Sequence, residues 1–172
     1  MRRKSVSDIE CPIARSLELV GDAWSLLILR DALLGATRFQ EFQAGLNVPP
    51  NTLTRRLTLL TEQGLLTRRL YEQKPPRECY ELTEMGEDLA PVLLALSSWG
   101  NRWLSPQGPV LECMDPSSGR LVEPTVVDKH SLRPLRAGTV ALRTGRGASQ
   151  ALKRRLPGHV MFGNARENRS AP

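Results

Sequence analysis

Apolar residues recur at helical spacing through the first hundred positions of the chain. Pro12 suits the first turn of a helix, where its missing N–H costs nothing. Ile13, Leu17 and Val20 then repeat on one face, and Gly21 ends the element. Asp22 can cap the next helix, residues 23–34, which is apolar on nearly all sides and is expected to be the buried central one, stopped by Gly35. A short helix follows around Phe39, Phe42 and Leu46. Residues 47–50, Asn-Val-Pro-Pro, form a turn, because paired prolines are excluded from a helix interior.

The most informative helix runs from about Pro50 to Gln63. Leu53, Leu57 and Leu60 share one stripe. The opposite face carries Asn51, Arg55, Thr58 and Glu62, with Thr52 and Leu59 beside it and Arg56 on the boundary. Gly64 ends the helix. Residues 65–71 read as a strand, 72–77 as a Pro-rich turn and 78–82 as the returning strand. Thr83 can then cap a long helix from Glu84 to about Leu104, with apolar positions at Met85, Leu89, Val92, Leu93, Leu96, Trp99 and Trp103, and a kink at Pro91.

Four helices, a hairpin and a final helix give a mainly α chain with a small β-hairpin, an α+β class. A short helix, a tight turn, a polar-faced second helix and a basic hairpin together describe a winged helix-turn-helix. A helix fits the major groove of B-form DNA, where its side chains read base edges. A hairpin tip carrying Lys74 and Arg77 reaches the adjacent backbone or minor groove, and phosphate contacts position what base contacts specify.

Charge sharpens this picture. The 172 residues carry a net charge of +6. Residues 51–77 hold six basic and two acidic side chains, and residues 78–104 hold one basic and five acidic. A local basic block beside an acidic one says more about a polyanion-binding face than the bulk charge does, although solvated faces also produce such blocks.

Several segments, in order, resemble the HxlR-type branch of the MarR-like winged-helix regulators. They are Cys11-Pro12-Ile13-Ala14, the run from Gly21-Asp22-Ala23-Trp24 to Leu29-Arg30-Asp31, Arg38-Phe39-Gln40-Glu41-Phe42, the run from Asn51-Thr52-Leu53 to Arg56-Leu57, and Tyr80-Glu81-Leu82-Thr83-Glu84-Met85-Gly86. The resemblance covers roughly residues 10–104. It implies a homodimeric bacterial transcription regulator on a pseudo-palindromic double-stranded DNA operator. By position, Asn51, Thr52, Arg55, Arg56 and Thr58 fall on the recognition helix, Lys74 and Arg77 on the wing, and Arg38 at the start of the helix bracing the turn. The first and last helices of the domain would form the dimer interface, through Ile13, Leu17, Leu96, Trp99 and Trp103. Pro49-Pro50 departs from the Ser or Ala that many members carry at the turn, which leaves the helix cap open.

For single residues two readings stand side by side. Arg55 suits a guanine edge, the commonest partner of a specific arginine, or it is simply solvated. Arg56 either touches phosphate or pairs with an internal carboxylate. Arg68 and Arg69 alternate on a strand, so at most one faces DNA. Trp99 and Trp103 suit core or dimer packing better than a ligand cage. Cys11 lies at an N-cap, where N–H groups and the helix dipole favour a thiolate; Arg2, Arg3 and Lys4 help, Asp8 and Glu10 oppose. In some members of the family a Cys at the matching place senses oxidants or electrophiles. The alternative is a small buried hydrophobe.

No catalytic constellation is visible, and no enzyme activity, cofactor or metal is expected. Three Cys and two His are too scattered for a zinc site, and an odd Cys count argues against a disulfide framework. Gly145-Arg146-Gly147 lacks the strand-helix setting of a phosphate loop. No apolar run approaches the roughly 18 residues of a membrane span, and no apolar segment follows the basic N-terminus, so a cytoplasmic protein is expected.

The chain divides, on this reading, into a DNA-binding and dimerisation domain over 1–104, a small β-rich extension over 105–145 and a basic, disordered tail over 146–172. In the extension, Asp115-Pro116-Ser117-Ser118-Gly119 is a turn signal between residues 110–113 and 121–122, so a hairpin is expected, and residues 125–127 suggest a further strand. The tail is rich in Gly, Arg, Asn and Pro, and its charge can add non-specific DNA affinity. The functional expectation is a repressor released by a small molecule or by redox or electrophile chemistry. Two rivals make different predictions. A protein-interaction module without DNA binding would tie up Arg55 and Arg56 in internal pairs. A ligand-binding or enzymatic extension would show a pocket with convergent polar groups.

Overall fold

The structure is a computed structural model that describes residues 6–74 and 76–163. The chain forms two compact units, Met1–Glu112 and Cys113–Pro172. The division falls later than residue 104. Asn101 explains this: its side-chain amide accepts from the Val110 N–H at 3.1 Å and donates to the Leu111 carbonyl at 2.6 Å, tying the expected linker to the first unit.

In the first unit, α1 (Pro12–Val20), α2 (Ala23–Leu33), α3 (Phe39–Leu46) and α4 (Pro50–Glu62) precede an antiparallel hairpin of β1 (Leu66–Gln73) and β2 (Pro76–Leu82). The local signals act as read. Asp22 caps α2 by accepting from the Ser25 N–H at 3.1 Å, and Gly35, at φ 101°, takes the left-handed position after it. Asn47 adopts φ 47° at the end of α3. Pro50 opens α4 at its first position, with Pro49 as N-cap, so the cap uses no side-chain bond. The core is Ile28 and Leu29 of α2, Phe42 of α3, Leu53, Leu57 and Leu60 of α4, and Leu65 and Leu66 at the hairpin's entry. Val48, in the turn between α3 and α4, is also buried.

Two elements differ from the sequence reading. The wing strands are longer, running to Gln73 and from Pro76, which face each other across the tip. Pro76 begins a strand of a two-stranded hairpin, a position where a missing N–H is tolerated. The long final helix is two: α5 (Glu84–Glu87), capped by Thr83 through the Gly86 N–H at 3.2 Å, and α6 (Ala90–Leu104). Pro91 lies in the first turn of α6. It has no N–H to donate to a carbonyl of the preceding turn, so a break replaces the expected kink.

The second unit contains β3 (Cys113–Met114) paired with β4 (Leu121–Val122), and β5 (Val140–Arg143) paired with β6 (His159–Phe162), with α7 (Gln150–Arg155) between the latter two. The expected 110–122 hairpin is present, closed by Asp115 and by Gly119 at φ 68°. Residues 125–127 form no strand; Val127 makes only an isolated bridge to Pro134. The expectation of a disordered tail from residue 146 is corrected for the described part. Ser149 caps α7 by accepting from the Leu152 N–H at 3.1 Å, and β6 completes a four-residue ladder with β5. Residues 164–172 lie outside the described residues.

Candidate nucleic-acid interface

Helix α4 is anchored by one face and offers the other. Leu53, Leu57 and Leu60 are fully buried, which fixes the rotation of the helix about its axis. Asn51, Thr54, Arg55, Thr58 and Glu62 are exposed as a consequence; Thr52, Arg56 and Leu59 are half-buried. A shallow, open concavity on this side is lined by Arg55, Arg56, Thr58, Leu59 and Glu62.

The two arginines of the helix have different fates. Arg55 makes no ion pair or side-chain hydrogen bond among the described residues. Arg56 turns inward and places Nη1 3.2 Å from Oδ2 of Asp22. The same Asp22 carboxylate caps α2 through Ser25 N–H and also accepts from the Ser25 hydroxyl. One carboxylate therefore joins the start of α2 to the middle of α4. The Nε of Arg56 is buried without a hydrogen-bond partner, which makes the Asp22 contact the main compensation for that cation.

The wing is charged but largely self-paired. Arg68 meets Glu78 at 3.3 Å, Arg69 meets Glu81 at 3.1 Å, and Arg77 meets Glu72 at 3.3 Å. All are surface pairs, each worth about 0.2–1 kcal/mol, so an incoming phosphate can displace the carboxylate at small cost. Lys74 stands exposed at the tip with no ion pair among the described residues. Arg38 lies 4.9 Å from the Tyr71 ring centroid, a cation–π contact linking the start of α3 to the wing. Its position is fixed twice more. The Glu41 carboxylate accepts from the N–H groups of Thr37 and Arg38 at 2.8 and 2.9 Å, and Tyr80 N–H donates to Thr37 O at 2.7 Å. Those two N–H bonds hold the Glu41 carboxyl below the usual carboxylate range.

The structure thus brings Asn51, Arg55 and Thr58 together on one exposed face. It seats Thr52 at that face's edge and pulls Arg56 into the domain. Sequence reading passed over Thr54, whose hydroxyl donates to Pro50 O at 2.9 Å; its spacing of three from Asn51 and four from Thr58 was the available signal. It also passed over Asp22 as the partner of Arg56, a contact that only tertiary packing creates.

The expected dimer residues form exposed apolar positions on two helices. On α1 these are Ile13 and Leu17, and on α6 Leu96, Trp99 and Trp103, of which Trp99 is 54% and Trp103 65% accessible. They are not core. Cys11 is the N-cap of α1, half-buried, a free thiol, and makes no cap hydrogen bond. Arg2, Arg3 and Lys4, invoked above as its neighbours, lie outside the described residues. No group of metal-binding side chains occurs among the described residues, and no helix there is long and apolar enough to cross a membrane.

Comparison with known proteins agrees with this architecture. Residues 19–108 match the family model for the HxlR-like helix-turn-helix. An HTH-type transcriptional regulator of Mycobacterium tuberculosis is 38% identical over 136 residues, covering 78% of this chain and 86% of the relative. The crystal structure of PA1607, a proposed transcription factor, superimposes with a TM-score of 0.72 at 35% identity, over 83% of this chain and 99% of that one. The redox regulator HypR in its reduced form matches with a TM-score of 0.51 at 32% identity, over 55% of this chain and 96% of that one.

Proposed function

Because the chain belongs to the HxlR-like helix-turn-helix family of transcriptional regulators, we propose that it is a homodimeric repressor that reads a pseudo-palindromic DNA operator through α4. The observation that carries this reading is the exposed Asn51–Arg55–Thr58 face, with Arg55 held by no internal partner among the described residues. A protein-interaction module would have both arginines tied up; here only Arg56 is. Arg55 has the reach and fork geometry for O6 and N7 of guanine, while Asn51 and Thr58 flank it for further base or phosphate contacts. Lys74 and, once released from Glu72, Arg77 serve the wing, and Arg38 acts through its stacking on Tyr71. Arg56 positions α4 instead of contacting a base.

Dimerisation through α1 and α6 covers Ile13, Leu17, Leu96, Trp99 and Trp103, and sets two recognition helices about one helical turn of DNA apart, roughly 34 Å. A ligand or a covalent change that alters this spacing releases DNA. Cys11, a free thiol at the start of α1, would do so by thiol chemistry; the similar protein HypR is itself a redox regulator. A DNA partner places the protein in the cytoplasm.

Fluorescence anisotropy on the DNA upstream of the protein's own coding sequence, against scrambled competitor, tests the reading. Binding that the competitor fails to displace, and that Arg55→Ala weakens at least tenfold, is the expected result. Equal binding to both DNAs would refute operator recognition. For Cys11, loss of binding on diamide treatment that Cys11→Ser abolishes is expected; an unchanged response in Cys11→Ser removes the residue from the mechanism.

A further inference from the structure

The net positive charge of this protein lies outside the unit that carries α4. Residues 1–112 hold 13 basic and 14 acidic side chains, a net of −1, whereas residues 113–172 hold 11 basic and 4 acidic, a net of +7. From Lys129 to Arg166 the chain has nine cations and no carboxylate.

Two of the unit's carboxylates, Asp115 and Asp128, are occupied locally. Asp115 accepts from Ser117 N–H at 2.9 Å, from Ser117 Oγ at 2.7 Å and from Ser118 Oγ at 2.8 Å. Asp128 repeats the arrangement, accepting from His130 N–H at 3.2 Å, and from Ser131 N–H and Oγ at 2.8 Å each. Both are loop-closing groups. None of the nine cations between Arg120 and Arg155 makes an ion pair among the described residues. The wing of the first unit shows the opposite habit, with three of its arginines matched to glutamates.

Helix α7 concentrates this charge. Leu152 and Leu156, four residues apart, are half-buried and hold its inner side, while Lys153, Arg154 and Arg155 are all exposed on its last turn. Cations at a helix C-terminus are favoured by the helix dipole, but three successive ones repel each other. A solvated surface needs no such cluster, since mixed charges keep a protein soluble equally well. A polyanion neutralises it.

We propose that the C-terminal unit is a second DNA-contacting surface, in which Lys153, Arg154 and Arg155 bind phosphates of the duplex without reading sequence. This rests on the operator-binding reading and divides the work. The near-neutral first unit selects the site, and the second unit supplies long-range attraction and salt-sensitive affinity.

The test uses the full chain. Binding is measured across a salt series on the upstream DNA and on a scrambled duplex, for the wild type, K153Q/R154Q/R155Q, the single variant R154Q and the charge-preserving K153R/R154K/R155K. Each phosphate contact contributes about 0.9 to the slope of log K against log salt concentration. The homodimer carries two copies of each residue, so the triple neutral variant is expected to lower that slope by about 5 and R154Q by about 1.8. Affinity for both DNAs falls by the same factor, and the charge-preserving variant behaves as wild type. An unchanged slope in the neutral variants overturns the proposal. A loss confined to the upstream DNA also overturns it, by showing sequence-reading contacts instead. If wild type shows no preference between the two DNAs while the slope still falls, the operator reading fails and the phosphate surface stands.

Discussion

The carboxylate of Asp22 joins two helices, and removing it has a consequence that can be worked out. Asp22→Ala first deletes the N-cap of α2, whose acceptor lies 3.1 Å from the Ser25 N–H; a lost cap costs about 1 kcal/mol. It also strips Arg56 of its anion. Breaking a fully buried pair costs about 3–5 kcal/mol, and a surface pair about 0.2–1 kcal/mol. Arg56 and Asp22 are 20% and 29% accessible at their side chains, so solvent screens part of the effect, and about 1.5 kcal/mol is appropriate to this intermediate case. Urea unfolding should therefore show Asp22→Ala destabilised by about 2.5 kcal/mol. Asp22→Ser, which retains a cap, should lose only the second part. Arg56→Met keeps the packed stem and should cost about 1 kcal/mol. Made in the Asp22→Ala background, Arg56→Met should cost little or nothing, giving a coupling of about 1 kcal/mol in the double-mutant cycle. Costs that add within about 0.3 kcal/mol would refute the claim that these side chains act as a pair. In the same variants operator affinity should follow helix position: Arg56→Met retains binding within about threefold, because the residue points into the domain, whereas Arg55→Ala leaves stability unchanged and loses binding.

Three further outcomes follow from the geometry. Gly86→Ala should destabilise the domain by about 2 kcal/mol in urea unfolding, since a Cβ there would run into the Leu65 carbonyl and come within 2.9 Å of Leu82 Cδ2. Trp99→Ala should weaken self-association about 30-fold in sedimentation equilibrium, the effect of removing a large aromatic anchor worth about 2 kcal/mol; an unchanged monomer–dimer equilibrium would exclude α6 from the interface. Asp115 has its carboxyl lowered from 3.8 to about 2 by the Ser117 hydroxyl, then by the Ser117 N–H and the Ser118 hydroxyl. Because the folded value is the lower one, the loop's stabilisation is fully present above the ordinary carboxylate range and is lost as pH falls through about 2. Amide exchange at Ser117 and Ser118 should accelerate over that interval, and in Asp115→Asn this pH dependence should vanish.

Much of the first unit could be read from the chain because its signals are local. Asp22, Gly35, Thr83 and the Leu53–Leu57–Leu60 stripe each specify an element through their own neighbours, and the stripe also decides which residues of α4 face outward. Pro91 was visible as an interruption, but whether a proline kinks or breaks a helix depends on what packs around it. The strand extension to Gln73 and Pro76 was hidden because Glu72, Gln73 and Pro76 lack apolar alternation; cross-strand pairs such as Arg77–Glu72 accompany it. In the second unit, composition misled. Gly and Arg content suggested disorder, whereas Ser149 as a cap, Leu152 with Leu156, and Val160-Met161-Phe162 carried enough pattern for a short helix and a strand. The partition of Arg55 outward and Arg56 inward turns on Asp22, thirty-four residues from Arg56, and no local rule supplies that.

The central claim is that two copies of α4 read one symmetric site and that Arg55 carries part of the reading. Competitive binding of the wild type and Arg55→Ala to a library of single-base variants of the bound upstream DNA tests it most directly. The account predicts two symmetric positions, about one helical turn apart (roughly 34 Å), at which the wild type demands guanine and discriminates by about 1–3 kcal/mol. In Arg55→Ala both positions become indifferent while preferences elsewhere persist. An identical preference profile for the two proteins, or a site without two-fold symmetry, would contradict it.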